Sequence, residues 1–144
     1  MSKLAVLGTV AVMLSGCGTL SRMQRVRTPN VCQDLTVSIY FRRDSAVVTR
    51  EARAVLRGAG ELARGCVLGK VDVTGLADSV GAPEVNLALS KKRADAVRQA
   101  VERLGFTTVN FSVGAVGEQG AVTPAGDDRP LRRRAEVTFH LRPH

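Results

Sequence analysis

The pattern of apolar and polar positions changes period several times along the chain, and each change marks an element. Leu35 to Phe41 reads LTVSIYF, an alternation rich in β-branched and aromatic residues, which predicts a strand. Ala52, Val55, Leu56, Ala59, Leu62, Ala63 and Cys66 then recur at helical spacing and predict an amphipathic helix from Thr49 to about Gly65. Thr49 is its N-cap and Glu51 lies in the first turn; Gly58 and Gly60 weaken it. Gly69 punctuates the chain before a second strand, Lys70 to Thr74. After a glycine-rich turn, Pro83 fits the first turn of a second helix. Its apolar stripe runs through Leu87, Ser90, Ala94, Val97, Val101 and Leu104, and Gly105 closes it. Thr107 to Val113 alternates again as a third strand, residues 114–130 form a loop rich in Gly and Pro, and Leu131 to Leu141 is a last strand with Ala135, Val137, Phe139 and Leu141 in phase. The order β-α-β-α-β-β suits an α+β sandwich, a mixed sheet with two helices on one face.

The run from Val73 to Leu104 carries the candidate chemistry. Asp78 falls in the turn after the second strand, and Arg93 lies 15 residues on, within the second helix. The helical spacing puts Arg93 beside Asn86, Leu89 and Ala96, at the edge of the buried face, where it can look back at the turn. An acid and a guanidinium held at fixed separation suit a ligand bearing both an ammonium and a carboxylate, because the guanidinium forms two parallel bonds to a carboxylate. On spacing alone, a structural ion pair or two solvated charges fit as well.

Gly75, Asp78, Gly81, Asn86, Leu89, Ser90, Arg93, Ala94 and Val97 together resemble the signature of the OmpA-like peptidoglycan-binding domain. That signature has a Gly-x-x-Asp turn followed by Asn-x-x-Leu-Ser-x-x-Arg-Ala-x-x-Val on a helix; here the two parts read GLAD and NLALSKKRADAV. Phe41, Ser45 and Ala46, then Gly117, Glu118 and Pro124, and Arg132-Arg133-Arg134-Ala135-Glu136-Val137 extend the resemblance over nearly all of residues 35–141. The chain departs from the pattern at Leu76 and Ala77, where the family often has His and Thr, and at Arg132, which replaces an Asn. The resemblance implies an OmpA-like fold over residues 35–144 and non-covalent binding of the wall peptide through meso-diaminopimelate. Asp78 would take the ammonium and Arg93 the carboxylate. Asn86 would hold the turn or touch the ligand, and the backbone near Gly75 would add contacts. Arg133 or Arg134 would add an auxiliary cation near the ligand. A structural subunit of an envelope, secretion or motility assembly, using the same domain for protein contacts, is the other reading.

The N-terminus adds a location. Lys3 is followed by an apolar run, Leu4 to Leu14, too short to span a bilayer, so residues 1–16 read as a secretory signal. Leu14-Ser15-Gly16-Cys17 resembles a bacterial lipobox, in which Cys17 becomes the acylated first residue of the mature chain, palmitate included. Several buried acyl chains, at about 0.8 kcal/mol per methylene, anchor a chain stably. Gly18 rather than Asp follows the cysteine, which points to the outer membrane, with the domain facing the periplasm. Residues 17–34 read as a lipidated start and a tether, reaching at most roughly 60 Å at about 3.5 Å per residue.

Lipidation of Cys17 leaves Cys32 and Cys66, in a compartment that permits a disulfide; two buried thiols are the alternative. A bridge there would stabilise the fold by roughly 3–4 kcal/mol in the chain-entropy model. The charge of +8 suits polyanions and anionic membranes, but aromatic residues are only 3% of the chain, too few for the stacking platforms of single-strand nucleic-acid binding. The two histidines, His140 and His144, lie at the C-terminus. With no base placed near a nucleophile, no paired carboxylates and no metal-ligand spacing, the sequence offers no enzyme, cofactor or metal centre.

Overall fold

The computed structural model describes residues 32–107 and 110–144. The signal at residues 1–16, the lipidation at Cys17 and most of the tether lie outside the described residues. The elements follow the expected order: β1 (Leu35–Tyr40), α1 (Arg50–Leu62), β2 (Val67–Gly75), α2 (Pro83–Glu102), β3 (Asn110–Ala115) and β4 (Arg134–Arg142). The sheet order is β1-β4-β2-β3. β4 runs antiparallel to both β1 and β2, and β2 pairs parallel with β3. The last strand thus lies between the first two, and its alternation fits that place: Ala135, Val137 and Phe139 are all fully buried.

Both helices pack on the sheet face that carries Ile39, Val71, Val73, Val137 and Phe139. Thr49 caps α1 as expected, its hydroxyl accepting from the Ala52 amide at 3.2 Å. Ala52, Leu56, Ala59 and Ala63 face the core, whereas Val55 and Leu62 of the predicted stripe are exposed. Gly60 is buried under Phe106, whose ring would meet a Cβ at 3.1 Å, so this glycine is where the helix end and the ring come together. Phe106 stacks edge-on against Phe139 at 6.0 Å between centroids. Phe41 joins the core and Phe111 packs against it; the rest is Val, Leu, Ile and Ala.

The boundaries differ from the sequence reading in physical ways. β2 starts three residues earlier than expected, because Val67 and Leu68 pair with Arg142 and Leu141 before a register shift at Gly69. The expected start of β4 at Leu131 is instead a short 3-10 turn, Pro130–Arg132, since proline has no amide for a ladder. Cys32 and Cys66 are bonded, closing a loop of 34 residues at the end of the sheet where β1 and β2 begin. That end is opposite the ends of β1 and β2 that lead to Arg42 and Asp78.

The helix-free face is polar. His140 lies on it between two carboxylates, Nδ1 at 2.6 Å from Asp34 and Nε2 at 2.8 Å from Asp72. Asp72 also pairs with Lys70 at 2.7 Å. A carboxylate only accepts, so both ring nitrogens donate at once only as imidazolium. The bond to Asp72 first, then that to Asp34, holds the His140 pKa above its ordinary value. The bond from Lys70, then that from His140, holds Asp72 below its own. A raised histidine pKa contributes stability that is complete below the unfolded value, about 6.5, and is lost as pH rises through the folded value. The urea midpoint should therefore fall as the pH rises above about 6.5, and His140→Gln should flatten that dependence; an equal slope in both proteins would show that His140 is not its source.

Candidate functional site

The site lies at the sheet end where β2 and β1 finish and β4 begins. Here the buried face of α2 changes character. From Ala94 onward it buries Ala94, Val97, Ala100 and Val101, but up to Arg93 it buries Asn86, Ser90 and Arg93 itself. Leu87, placed on the stripe by its spacing, is exposed, because this part of the helix faces polar loops.

Arg93 corrects the expectation of an edge position: it is 0% exposed. Nε donates to the Ser45 carbonyl at 2.9 Å, Nη1 to that of Leu76 at 2.9 Å, and Nη2 to that of Arg42 at 3.3 Å. The guanidinium also lies over the Phe41 ring, 5.2 Å from its centroid. A guanidinium has five N–H donors, so this set leaves two unspent. Burial pulls the Arg93 pKa below its ordinary value, opposed chiefly by the negative charge of Asp78.

Asp78 does not touch Arg93. Its ion pair is with Arg133, Nη1 to Oδ2 at 2.8 Å, so the residue read as an auxiliary cation is the direct partner of the acid. Asp78 is 7% exposed, and its Oδ1 takes no hydrogen bond from the described residues. Arg134 turns elsewhere: it pairs with Glu136 at 2.6 Å and donates to the Leu131 carbonyl. Arg133 ends the 3-10 turn and Arg134 opens β4, so the backbone changes conformation between the two arginines.

Asn86 is buried and donates to Glu118 at 2.6 Å, tying α2 to the long loop before β4. Gly75 has a packing role instead of a ligand contact. A Cβ there would lie 1.8 Å from the Ser90 carbonyl oxygen, so only glycine lets α2 lie this close to β2. The departures Leu76 and Ala77 are buried and serve through their backbones, Leu76 as an acceptor for Arg93 and Ala77 as a donor to Gly117 O at 2.8 Å.

The loop of residues 116–133, of which the sequence singles out only Arg133 as a cation for the site, closes it. Glu118 accepts from Asn86, the Gly117 amide donates to Ser90 Oγ at 3.1 Å, Asp128 accepts from Ser79, and Arg133 reaches Asp78. Its sequence signals were Gly117-Glu118, Pro124 and the Arg132-Arg133-Arg134 run, all matched by resemblance, since irregular backbone leaves no periodicity. Ser79, Ser90 and the carbonyls of Arg42 and Ser45 went unassigned, because their roles arise from contacts distant in sequence. Among the described residues no cluster of His, Cys, Asp or Glu has the makings of a metal site.

A four-stranded mixed sheet with two helices on one face and a charged site at its end defines an OmpA-type module. The OmpA family model matches residues 40–136, and the chain belongs to the OmpA family. It is 30% identical over 144 residues to the peptidoglycan-associated lipoprotein of Pasteurella multocida, covering 94% of this chain and 95% of that protein. It is 26% identical over 113 residues to an outer membrane protein of Gluconacetobacter diazotrophicus; the match takes in 73% of this chain but only 30% of that longer protein. Among solved structures, the peptidoglycan-associated lipoprotein of Burkholderia pseudomallei aligns with a TM-score of 0.55 at 26% identity, over 73% of this chain and 89% of that one. A MotB-like protein of Desulfovibrio vulgaris aligns with a TM-score of 0.57 at 20% identity over 76% of each chain, a likeness of fold.

The close approach of α2 to β2 gives a stability prediction. Gly75→Ala should cost about 3 kcal/mol, the upper end of the range for overpacking, as measured by urea unfolding. A loss below about 0.5 kcal/mol, typical of unconstrained surface sites, would mean that the helix moves aside freely.

Proposed function

We propose that this domain holds peptidoglycan without covalent bonds by gripping meso-diaminopimelate of the stem peptide. One pairing of charges carries the reading. A rim carboxylate, Asp78, keeps one oxygen free of protein donors, and its field reaches a buried guanidinium, Arg93, with two N–H groups unspent. The distal centre of diaminopimelate bears an ammonium and a carboxylate. The ammonium binds Asp78, competing with Arg133 for its charge. The carboxylate takes the two remaining N–H groups of Arg93, once the loop of residues 42–45 has shifted to admit it. Asn86 and Glu118 hold the wall of the site. The names of the Pasteurella and Burkholderia relatives support a wall-associated role.

The same reading makes the chain a lipoprotein of the outer membrane, anchored through acylated Cys17, with the domain in the periplasm. One end in lipid and one on the wall ties the two layers together. No step in this function is catalytic; binding itself is the task.

Isothermal titration with free meso-diaminopimelate, together with pull-down on purified sacculi, tests the grip. Asp78→Asn and Arg93→Lys should each weaken binding by about tenfold or more, the second because lysine has no two-bond fork. Circular dichroism on the same samples separates lost binding from lost folding. Folded variants that bind as the parent does would remove the reading. A subunit that uses this domain for protein contacts would keep its partners after either change and leave sacculi in the supernatant.

The anchor has its own test. Cys17→Ala should release the chain from sedimented membranes into the soluble periplasmic fraction. A variant that remains with the membranes would exclude acylation as the anchor.

A further inference from the structure

Beside Asp78, around the rim of the sheet, three arginines line a groove of about 340 Å³ with Pro130 and Leu131. They are Arg129, Arg132 and Arg134, the last two flanking the Arg133 that pairs with Asp78. Their charges are poorly answered within the domain. The Arg129 side chain is exposed and has no hydrogen-bond or ion-pair partner among the described residues. Arg132 Nε is buried and has no hydrogen-bond partner among the described residues, while its Nη2 donates to the Gln119 carbonyl. Only Arg134 meets a carboxylate, that of Glu136. Asp128, next in sequence to Arg129, is bonded to Ser79 on the Asp78 turn. Burial first, and the neighbouring Arg134 and Arg129 charges after it, lower the Arg132 pKa, with Glu136 opposing them. A buried N–H without an acceptor is costly, and an acceptor arriving from outside would relieve that cost.

We infer that the groove of Arg129, Arg132 and Arg134 is a second anion subsite, which takes another carboxylate of the same stem peptide whose diaminopimelate lies at Asp78. The inference rests on the wall-binding reading above. Its ligand class follows from place and charge. The 129–134 segment forms the groove and supplies Arg133 to Asp78, so a peptide seated on Asp78 reaches the groove by crossing the rim. The stem peptide carries free α-carboxylates at its D-glutamyl residue and at its C-terminus, and guanidinium N–H groups match carboxylate geometry. The groove is also at the opposite end of the sheet from Cys32, away from the side on which the chain enters the domain.

The test uses four probes: free meso-diaminopimelate, the tetrapeptide L-alanyl-γ-D-glutamyl-meso-diaminopimelyl-D-alanine, and that peptide amidated at either its glutamyl or its terminal carboxyl. The proteins are the parent, Arg129→Gln, Arg129→Gln/Arg132→Gln, and Arg57→Gln/Arg64→Gln, which removes the same charge from α1 and the turn that follows it. With the parent, at least one amidation should weaken binding by about tenfold. In the groove double variant that penalty should shrink to near unity, with free diaminopimelate binding unchanged. Arg57→Gln/Arg64→Gln should keep the full penalty. Arg129→Gln removes a side chain with no internal partner, so it remains folded and should show a partial loss of the penalty even if the double variant does not fold.

Amidation without effect on the parent would overturn the inference, and so would an equal penalty in all folded proteins. Groove-dependent binding to vesicles of anionic lipid, with no response to amidation, would assign the groove to a membrane surface instead. Failure of free diaminopimelate to bind the parent would strike the wall-binding reading first and this inference with it.

Discussion

A guanidinium that never meets water must find its acceptors inside the protein, and Arg93 finds them at three points of the backbone. The carbonyls of Arg42 and Ser45 come from the loop after β1, and that of Leu76 from the turn after β2. These segments are distant in sequence, and the arginine fixes their relative positions more tightly than apolar packing would. Removing a charge from water costs several kcal/mol, so the arrangement holds only if the bonds form together. No carboxylate touches it; Asp78 acts on it at longer range. The arginine is therefore both a structural hub and the most constrained charge at the end of the sheet.

Around this hub the charges form a short chain. Asp78 faces Arg133, Asn86 faces Glu118 and Ser79 faces Asp128. In each pair one partner lies on the β2–α2 segment and the other on the loop before β4 or at its end. Two pieces of irregular backbone are thus joined by side chains instead of by a ladder. A ligand ammonium at Asp78 would act on this joint, since it competes for the carboxylate that draws Arg133 inward.

The regular parts of the fold were legible because burial imposes a period. Ala135, Val137 and Phe139 announced β4, and Thr49 with the spacing from Ala52 to Ala63 announced α1. Hydrophobic patterning misplaced Leu87 and put Arg93 at an edge, because it assumes that a buried helix face is apolar. The buried polar face of α2 was visible only as a family motif, and the motif does not say that Arg133, not Arg93, meets the acid. The loop of residues 116–133 left little trace, because its bonds join residues by tertiary contact. Gly75 stood out as a motif glycine, but its reason, a helix carbonyl where a Cβ would lie, belongs to the packing of α2 on β2.

Cys32 and the Asp78 rim stand at opposite ends of the strands, and this arrangement has a mechanical meaning. A force applied between them loads the pairs from Leu35–Phe139 to Tyr40–Arg134 in shear, in parallel with the covalent path from Cys66 along β2. Shear loads those hydrogen bonds together, whereas pulling across the strands would open them one at a time like a zip. The Cys32–Cys66 bond passes part of the load directly to the start of β2, on the far side of β4. The central strand is thereby gripped from both flanks, β1 on one side and β2 on the other.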